Sequence, residues 1–225
     1  MGRDRRGGGT LRIALALSSG PMPMTAGLPV YLVEDDAGMR DAVSLLLRGA
    51  GFEVHSYPSA EIFLSEVDCS KSICLLTDVR LPGMDGIALF RHLVELGTEP
   101  AVVVITGHGD IPMAVAALKD GVVDFVEKPF DPGMLLDSVR EASQRAAANA
   151  ERKAVAMGIE ARRSTLTTRE TEVLTLLMEG HLNKVIAAQL EMSIRTAEHH
   201  RARILEKMGA QSLSQLIKML LGKRG

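Results

Sequence analysis

The sequence contains few aromatic residues, few cysteines and no long apolar run. Of its 225 residues none is Trp, 3% are aromatic and two are cysteines, Cys69 and Cys74. Two cysteines cannot form a disulfide scaffold, and their C-x4-C spacing lacks the second pair of a typical zinc site. A membrane-spanning helix needs roughly 18 consecutive apolar residues, which this chain does not offer. The sequence therefore excludes disulfide-rich and integral membrane proteins, and its composition predicts a soluble cytoplasmic protein.

Charge is unevenly distributed, although the formal net charge is only −2. Residues 29–141 carry 8 basic and 19 acidic side chains, whereas residues 142–225 carry 14 basic and 8 acidic ones. An acidic segment followed by a basic one predicts two domains with separate roles, the second suited to a nucleic-acid partner. Residues 1–28 include a short apolar stretch that is a poor signal peptide, so we expect a disordered extension or a later translation start.

From residue 29 onward, short apolar segments with strand character alternate with segments of helical period. The predicted strands are 30–33, 53–57, 73–77, 101–106 and 124–127. The predicted helices are 38–50, 59–66, 85–95, 111–120 and one that begins near 132. Repeated alternation of strand and helix predicts a doubly wound parallel α/β sheet, and the apolar strands fit burial on both faces. We therefore expect an α/β domain at residues 29–141.

The segment after this domain predicts a helical linker at residues 142–162. It is rich in Ala, Arg, Glu and Gln, and residues 142–157 contain neither Pro nor Gly. One set of apolar residues follows a 4-3-4 spacing: Leu135, Val139, Ala142 and Ala146. That spacing fits either a weak dimer seam or a solvated helix.

Polar residues stand at the carboxyl ends of the predicted strands, where open parallel sheets bind ligands. They are Glu34, Asp35 and Asp36 after the first strand, Asp78 after the third, Thr106 at the fourth and Lys128 after the fifth. Clustered carboxylates need a cation, and oxygen ligands favour Mg²⁺. Asp78 could then act as a nucleophile towards a phosphoryl group, with Lys128 and the Thr106 hydroxyl stabilising its charge. Singly, each residue has a simpler interpretation as a helix cap, turn residue, strand end or surface charge; their combination favours the site.

Four stretches, VYLVEDD, LLTDVRLPGMDG, VVVITGHGD and VDFVEKPF, resemble the receiver domain of two-component response regulators. The resemblance implies a flavodoxin-like sheet of strand order 2-1-3-4-5 and a cis Lys128-Pro129 bond. It also implies that Asp78 is the phosphoacceptor and that Thr106 and Phe125 act as switch residues. The implied ligands for Mg²⁺ or Mn²⁺ are Asp35, Asp78 and the main-chain carbonyl of Arg80, with Glu34 joining through water.

The basic segment predicts a helix-turn-helix unit. Thr167 stands three residues before Glu170, which is the spacing of a capping box at a helix start. A short second helix and a longer third helix follow, the third capped by Ser193 or Thr196; the predicted helices are 167–180, 183–190 and 193–208. This order of a short helix, a tight turn and a longer helix is typical of helix-turn-helix DNA-binding proteins.

The third helix of this unit has two distinct faces. Its inward stripe is predicted to contain Ala197, His200, Ile204 and Met208. The opposite face could enter a major groove and contact bases through Arg195, Glu198, His199, Ala202 and Arg203. Phosphate contacts are predicted for Lys184, Thr196 and Arg201. An ordinary solvated helix is the alternative interpretation of the same charges.

The stretch LTTRETEVLTLLMEGHLNKVIAAQLEMSIRTAEHHRARILEKMGA resembles the LuxR-type helix-turn-helix. The resemblance covers about residues 163–221. Joined to a receiver, this unit resembles the FixJ/NarL family of transcriptional regulators, and residues 163–225 are taken as its DNA-binding domain. The resemblance implies a fourth helix at 212–221 that pairs two such domains, although core packing is the alternative explanation for its apolar residues, Leu213, Leu216, Ile217 and Leu220. Ala197 replaces the commoner Val, and Glu191 replaces the Gly that usually follows the second helix, so this turn has to form without glycine.

These resemblances predict a phosphorylation-dependent, DNA-binding transcriptional regulator. The expected partners are a sensor histidine kinase, double-stranded DNA and RNA polymerase, and phosphorylation is expected to promote a homodimer. Its interface would lie on helix 111–120 and strand 124–127, with Leu118 and Val122 among its apolar residues. No enzymatic activity is expected beyond self-phosphorylation and self-dephosphorylation at Asp78.

Two rival functions belong to other classes. A haloacid-dehalogenase-like phosphatase also uses an Asp nucleophile and Mg²⁺, but it needs a second Asp at the position of Arg80. A phosphorylation-independent DNA-binding or protein-interaction module would lack the complete set of carboxylates, Thr106 and Lys128.

Overall fold

The computed structural model describes residues 28–107 and 117–222. Their amino-terminal part is a five-stranded parallel sheet of order β2-β1-β3-β4-β5. The strands are β1 (Val30–Val33), β2 (Val54–Tyr57), β3 (Cys74–Asp78), β4 (Ala101–Thr106) and β5 (Asp124–Glu127). The predicted fold class and strand order are confirmed. Three boundaries differ by one residue: β2 and β3 each begin one residue later than predicted, and pairing of Asp78 with Ile105 of β4 extends β3 one residue beyond its predicted end.

Three helices of this domain begin at residues whose side chains cap them. They are α1 (Ala37–Gly49), α2 (Ala60–Glu66) and α3 (Gly86–Glu95). Asp36, Ser59 and Asp85 accept hydrogen bonds from the first turns of these helices, which satisfies amide groups that have no partner within the helix. Residues 117–120 are also helical; the rest of the predicted helix at 111–120 lies outside the described residues.

The sheet is buried on both faces. Helix α1 and a long helix α4 (Pro132–Arg163) cover one face, and helices α2 and α3 cover the other. The register aligns the strand ends, since Val33 pairs with Thr77 and Thr106 pairs with Glu127. Polar residues that follow different strands are therefore brought to the same edge.

Helix α4 continues without a break through the predicted linker. The four residues of the 4-3-4 spacing are buried in the core beneath the sheet: Leu135, Val139, Ala142 and Ala146. Both predicted interpretations of this spacing, the dimer seam and the solvated helix, are therefore wrong for these residues. An apolar spacing shows that residues are covered but not what covers them. Further along α4, Asn149 Nδ2 donates to the Glu99 carbonyl at 2.9 Å and Lys153 donates to the Ser70 carbonyl.

The carboxyl-terminal part is all helical and has its own core. Its helices are α5 (Thr168–Met178), α6 (Asn183–Gln189), α7 (Ile194–Met208) and α8 (Leu213–Leu221). The predicted capping box is present, since Thr167 and Glu170 exchange hydrogen bonds. Ser193 caps α7, and Glu191 adopts a φ of 52° in the turn before it. Among the helices of the described residues, none has the length and apolar character to cross a membrane.

Candidate phosphoacceptor site and DNA-binding surface

The carboxyl edge of the sheet brings together acidic residues from β1 and β3. Glu34 and Asp35 follow β1, and Asp78 is the last residue of β3. One oxygen from each of these three carboxylates lies within 4.8 Å of the others. Glu34 and Asp78 are buried, with relative exposures of 1% and 8%, whereas Asp35 is exposed. The structure thus forms the carboxylate cluster that the sequence predicts.

Lys128 contacts two of these carboxylates. Its Nζ atom lies 2.5 Å from Asp78 Oδ2 and 2.9 Å from Glu34 Oε2. Burial of Glu34 raises the pKa of its carboxyl despite the lysine, and the nearby charge of Asp78 raises it further. Burial lowers the pKa of Lys128, but its hydrogen bonds to Asp78 and Glu34 outweigh this effect and leave that pKa raised. One ammonium group is therefore shared between two buried acids.

The donor set fits a hard divalent cation. It consists of carboxylate oxygens from three residues, one of them the solvent-exposed Asp35, and such oxygens are the ligands that Mg²⁺ and Mn²⁺ prefer. The second oxygen of Asp78 accepts a hydrogen bond from the Arg80 amide at 2.8 Å, so the loop that carries the Arg80 carbonyl is tied to the same carboxylate. A cation would offset the repulsion between acids that one lysine only partly balances.

The two expected switch residues lie on β4 and β5, the strands that follow β3 across the sheet. Thr106 ends β4, is buried, and its hydroxyl donates to the Gly107 carbonyl at 3.2 Å. Phe125 lies in β5, is half-buried and packs against the core on the α2 and α3 face. The Lys128 amide donates to the Thr106 carbonyl at 2.8 Å, and the Lys128-Pro129 bond is cis, as the resemblance implies.

Part of the expected dimer interface is wrong. Val122 is buried in the core with 4% exposure, because the chain turns inward at Gly121 to enter β5. Leu118 is exposed as expected. The beginning of that helix, up to residue 116, lies outside the described residues.

Two residues that support the site escaped sequence reasoning. A Cβ atom added to Gly86 would lie 2.1 Å from the Asp78 carbonyl oxygen. Only glycine therefore allows α3 to approach the end of β3 this closely. Glu61 of α2 accepts a hydrogen bond from the Met84 amide at 2.9 Å, which fastens the loop between Asp78 and α3. Both contacts involve main-chain atoms, which a pattern of side chains does not reveal.

Helix α7 presents the predicted DNA-facing residues. The exposed ones are Arg195, Thr196, Glu198, His199, Ala202 and Arg203, while Arg201 is half-buried. Lys184 is exposed on α6. On the inward stripe Ala197, Ile204 and Met208 are buried and His200 is half-buried. Arg203 already contacts Glu206 at 3.1 Å, so this pair would have to open before the guanidinium could contact a base.

The inner side of α7 is fixed by an ion pair to α5. Lys207 Nζ lies 2.6 Å from Glu170 Oε2 and 3.0 Å from the Thr165 carbonyl. Together with the hydrogen bonds from Thr167, the lysine lowers the pKa of Glu170 to about 2. Glu170 is 4% exposed. The capping box of α5 therefore also anchors the carboxyl end of α7.

Comparison with known proteins matches both parts of the chain. The family described as "Response regulator receiver domain" matches residues 30–140, and "Bacterial regulatory proteins, luxR family" matches residues 164–220. The transcriptional regulatory protein FixJ of Bradyrhizobium diazoefficiens is 40% identical over 198 residues, which cover 88% of this chain and 97% of that protein. FixJ of Rhizobium meliloti is 41% identical over 85% of this chain and 94% of its own.

A solved structure of the response regulator StyR has the same two-part architecture. It superposes with a TM-score of 0.76 at 37% identity, and the match covers 88% of this chain and all of StyR. Full-length FixJ from B. japonicum superposes with a TM-score of 0.52 at 40% identity. The chain therefore belongs to the FixJ-like response regulators, the transcriptional regulators of two-component systems that join a receiver to a LuxR-type DNA-binding domain.

Proposed function

We propose that Asp78 accepts a phosphoryl group from the phosphohistidine of a sensor kinase, and that this event controls DNA binding by the second domain. The observation that carries this proposal is the position of Asp78, with one oxygen 2.5 Å from Lys128 Nζ and the other 2.8 Å from the Arg80 amide. In the transfer a phosphorus–nitrogen bond breaks and a phosphorus–oxygen bond to Asp78 forms. Water later hydrolyses the acyl phosphate to free Asp78 and inorganic phosphate.

The neighbouring groups have separate roles in this step. Lys128 neutralises charge on the phosphoryl oxygens, and the amide of Arg80 orients the carboxylate. Asp35, Asp78 and the Arg80 carbonyl would hold Mg²⁺ or Mn²⁺, with Glu34 joining through water; the bound ion supplies further charge neutralisation. We expect no enzymatic activity other than this self-phosphorylation and self-dephosphorylation.

Phosphorylation is communicated through Thr106 and Phe125. A phosphoryl group on Asp78 attracts the Thr106 hydroxyl, and Phe125 turns into the space that this movement opens. The face near β5 then favours a homodimer. Such a switch changes an existing equilibrium by the free energy of the new contacts, about 1 to 3 kcal/mol.

The second domain binds double-stranded DNA through α7. Within this proposal the receiver comprises residues 29–141, the linker 142–162 and the DNA-binding domain 163–225. Base-edge contacts are assigned to Arg195, Glu198, His199, Ala202 and Arg203, and phosphate contacts to Lys184, Thr196 and Arg201. The dimer would engage paired half-sites in the cytoplasm and act on RNA polymerase.

The acceptor is tested by incubating the full chain with a small acyl-phosphate donor and Mg²⁺. Intact-protein mass spectrometry should show one added phosphoryl group in the wild type and none in Asp78→Asn, which keeps the shape but removes the nucleophile. Asp41→Asn, an exposed carboxylate on α1, is the matched control and should be labelled like wild type. Equal labelling of Asp78→Asn would disprove the assignment.

DNA binding is tested by fluorescence anisotropy on selected duplexes with and without the phosphodonor. Affinity should rise on phosphorylation and fall steeply with salt, because phosphate contacts release counterions. Glu198→Ala should change the preferred sequence, whereas Lys184→Ala should weaken all sites alike and flatten the salt dependence. If the phosphodonor leaves affinity unchanged in both wild type and Asp78→Asn, the phosphorylation-independent alternative is correct.

A further inference from the structure

Arg40 lies in α1 and reaches back to the acidic loop that follows β1. Its Nη1 atom donates to the Glu34 carbonyl at 2.7 Å and to the Asp35 carbonyl at 3.2 Å. Helical side chains slant towards the amino end of their helix, so position 40 covers the segment that precedes α1. We propose that Arg40 is a positioning residue that holds the Asp35 carboxylate in place for the divalent cation; this inference rests on the metal site of the proposed function.

The loop is already fixed on both sides of Asp35. The Glu34 amide donates to the Tyr57 carbonyl at 3.2 Å, and Asp36 caps α1 by accepting from the Met39 amide at 2.7 Å. Asp35 lies between these anchors and is exposed. The direction of its side chain depends on the peptide units before and after it, and the carbonyls of both units accept from Arg40.

The charge of Arg40 makes its effect on the cation testable by sign. A guanidinium close to a cation site repels the cation, so an arginine that acted only through its charge would weaken binding, and its removal would tighten binding. An arginine that positions a ligand strengthens binding, and its removal weakens it. Groups that orient metal ligands typically change metal affinity by about 10- to 100-fold when they are removed. The ligand geometry should therefore outweigh the partly screened repulsion.

The same helix contains a matched control. Arg48 donates from Nη2 to the Val54 carbonyl at 3.0 Å, so it also joins α1 to the main chain next to a strand. Val54 begins β2, at the opposite edge of the sheet from the acidic cluster. Arg48→Gln should lower the unfolding temperature by a similar amount without changing the metal site.

The test uses the full chain and Mn²⁺ as the probe, with binding measured by isothermal titration calorimetry and thermal unfolding measured in chelator. Arg40→Gln removes the charge and is too short to reach both carbonyls, whereas Arg40→Lys keeps the charge but lacks the planar guanidinium whose Nη1 directs one N–H to each carbonyl. We expect both Arg40 variants to bind Mn²⁺ about 10-fold more weakly than wild type. Arg48→Gln should bind within about two-fold of wild type, below the range for ligand-orienting groups, even if its unfolding temperature falls as far as that of Arg40→Gln.

Each other outcome has a definite meaning. Tighter or unchanged Mn²⁺ binding in Arg40→Gln overturns the positioning role, as does an equal loss of affinity in Arg48→Gln. If Arg40→Gln does not fold, the affinity of Arg40→Lys decides alone by the same criterion. If wild type binds no Mn²⁺, or if Asp78→Asn binds it as tightly as wild type, the metal site of the proposed function fails and this inference fails with it.

Discussion

Each domain contains a lysine that contacts a buried glutamate, and the two pairs have nearly the same geometry. Lys128 Nζ lies 2.9 Å from Glu34, and Lys207 Nζ lies 2.6 Å from Glu170; both lysine side chains are 24% exposed. Nevertheless, the pKa of Glu34 is raised, whereas the pKa of Glu170 is lowered to about 2. The distance to the lysine therefore does not by itself decide the direction in which the pKa of the glutamate shifts.

The difference lies in what surrounds each pair. Burial of Glu34 raises its pKa, and Lys128 is shared with the second carboxylate, Asp78. Glu170 accepts hydrogen bonds from the Lys207 ammonium and the Thr167 amide, and both stabilise its ionised form. The receiver site therefore has three clustered carboxylates against one lysine, an excess of acidic groups that a cation can balance. The second domain has a balanced pair that stabilises the fold.

The largest expected effect comes from removing the lysine of the balanced pair. Lys207→Met leaves Glu170 buried without its partner, so the second domain should lose about 3 kcal/mol of unfolding free energy, the low end for a buried pair because Lys207 is partly exposed. Hydrogen-exchange mass spectrometry on peptides from α5 and α7 measures this loss in the full chain. Lys218→Met, which alters an exposed lysine on α8, should leave exchange nearly unchanged. Equal protection in both variants would show that the Glu170 pair is not structural.

Acid should weaken the same domain in a defined range. The pKa of Glu170 in the folded state, about 2, lies below its usual value of 4.5, so ionised Glu170 favours folding. This contribution is complete above about pH 5 and disappears as the pH falls towards 2; a shift of this size corresponds to at most about 3 kcal/mol. Exchange protection of α5 should decline across this range in wild type. Glu170→Gln should show a flatter decline, and a parallel one would contradict the assignment.

The surplus charge of the receiver should make it the domain that responds to metal. Mg²⁺ at 100 times its dissociation constant should stabilise the receiver by about 2.7 kcal/mol, because only the folded site binds the ion. The protection of peptides from β1 and β3 should rise, while α5 and α7 stay unchanged. Asp35→Asn removes one exposed carboxylate of the cluster and should reduce the gain. Equal stabilisation of both domains would indicate a nonspecific salt effect.

The sequence predicts most of the receiver because its strands and strand ends follow simple chemistry. The alternation of elements identified all five strands, and polar residues at their carboxyl ends indicated the cluster of Glu34, Asp35, Asp78 and Lys128. The partner of an apolar face was harder to predict. Leu135, Val139, Ala142 and Ala146 pack on the sheet, and Val122 packs in the core. Their spacing in the sequence shows that they are covered but not which part of the molecule covers them.

Contacts to main-chain atoms lay beyond sequence reasoning. Arg40 holds two carbonyls, Glu61 holds an amide, and Gly86 makes room for a carbonyl. None of these partners has a characteristic side chain, so no pairing of residue types pointed to them. Glu170 shows the same limit, because its capping box was predicted but its ion pair with Lys207, from a distant helix, was not.

The smallest predicted effect concerns the turn between α6 and α7. Glu191 has a φ of 52°, in the left-handed region where a side chain costs about 1 to 2 kcal/mol. Glu191→Gly removes this strain but gives the unfolded chain more freedom, so the net gain should be about 0.5 to 1 kcal/mol. Glu179→Gly is the matched control, since Glu179 is the capping residue that follows α5, its φ is −76°, and its replacement should only destabilise. Exchange protection of α7 should therefore rise in one variant and fall in the other. If both variants lose protection, the left-handed backbone at Glu191 is not strained enough for glycine to stabilise this domain, and glutamate at this position does not lower its unfolding free energy.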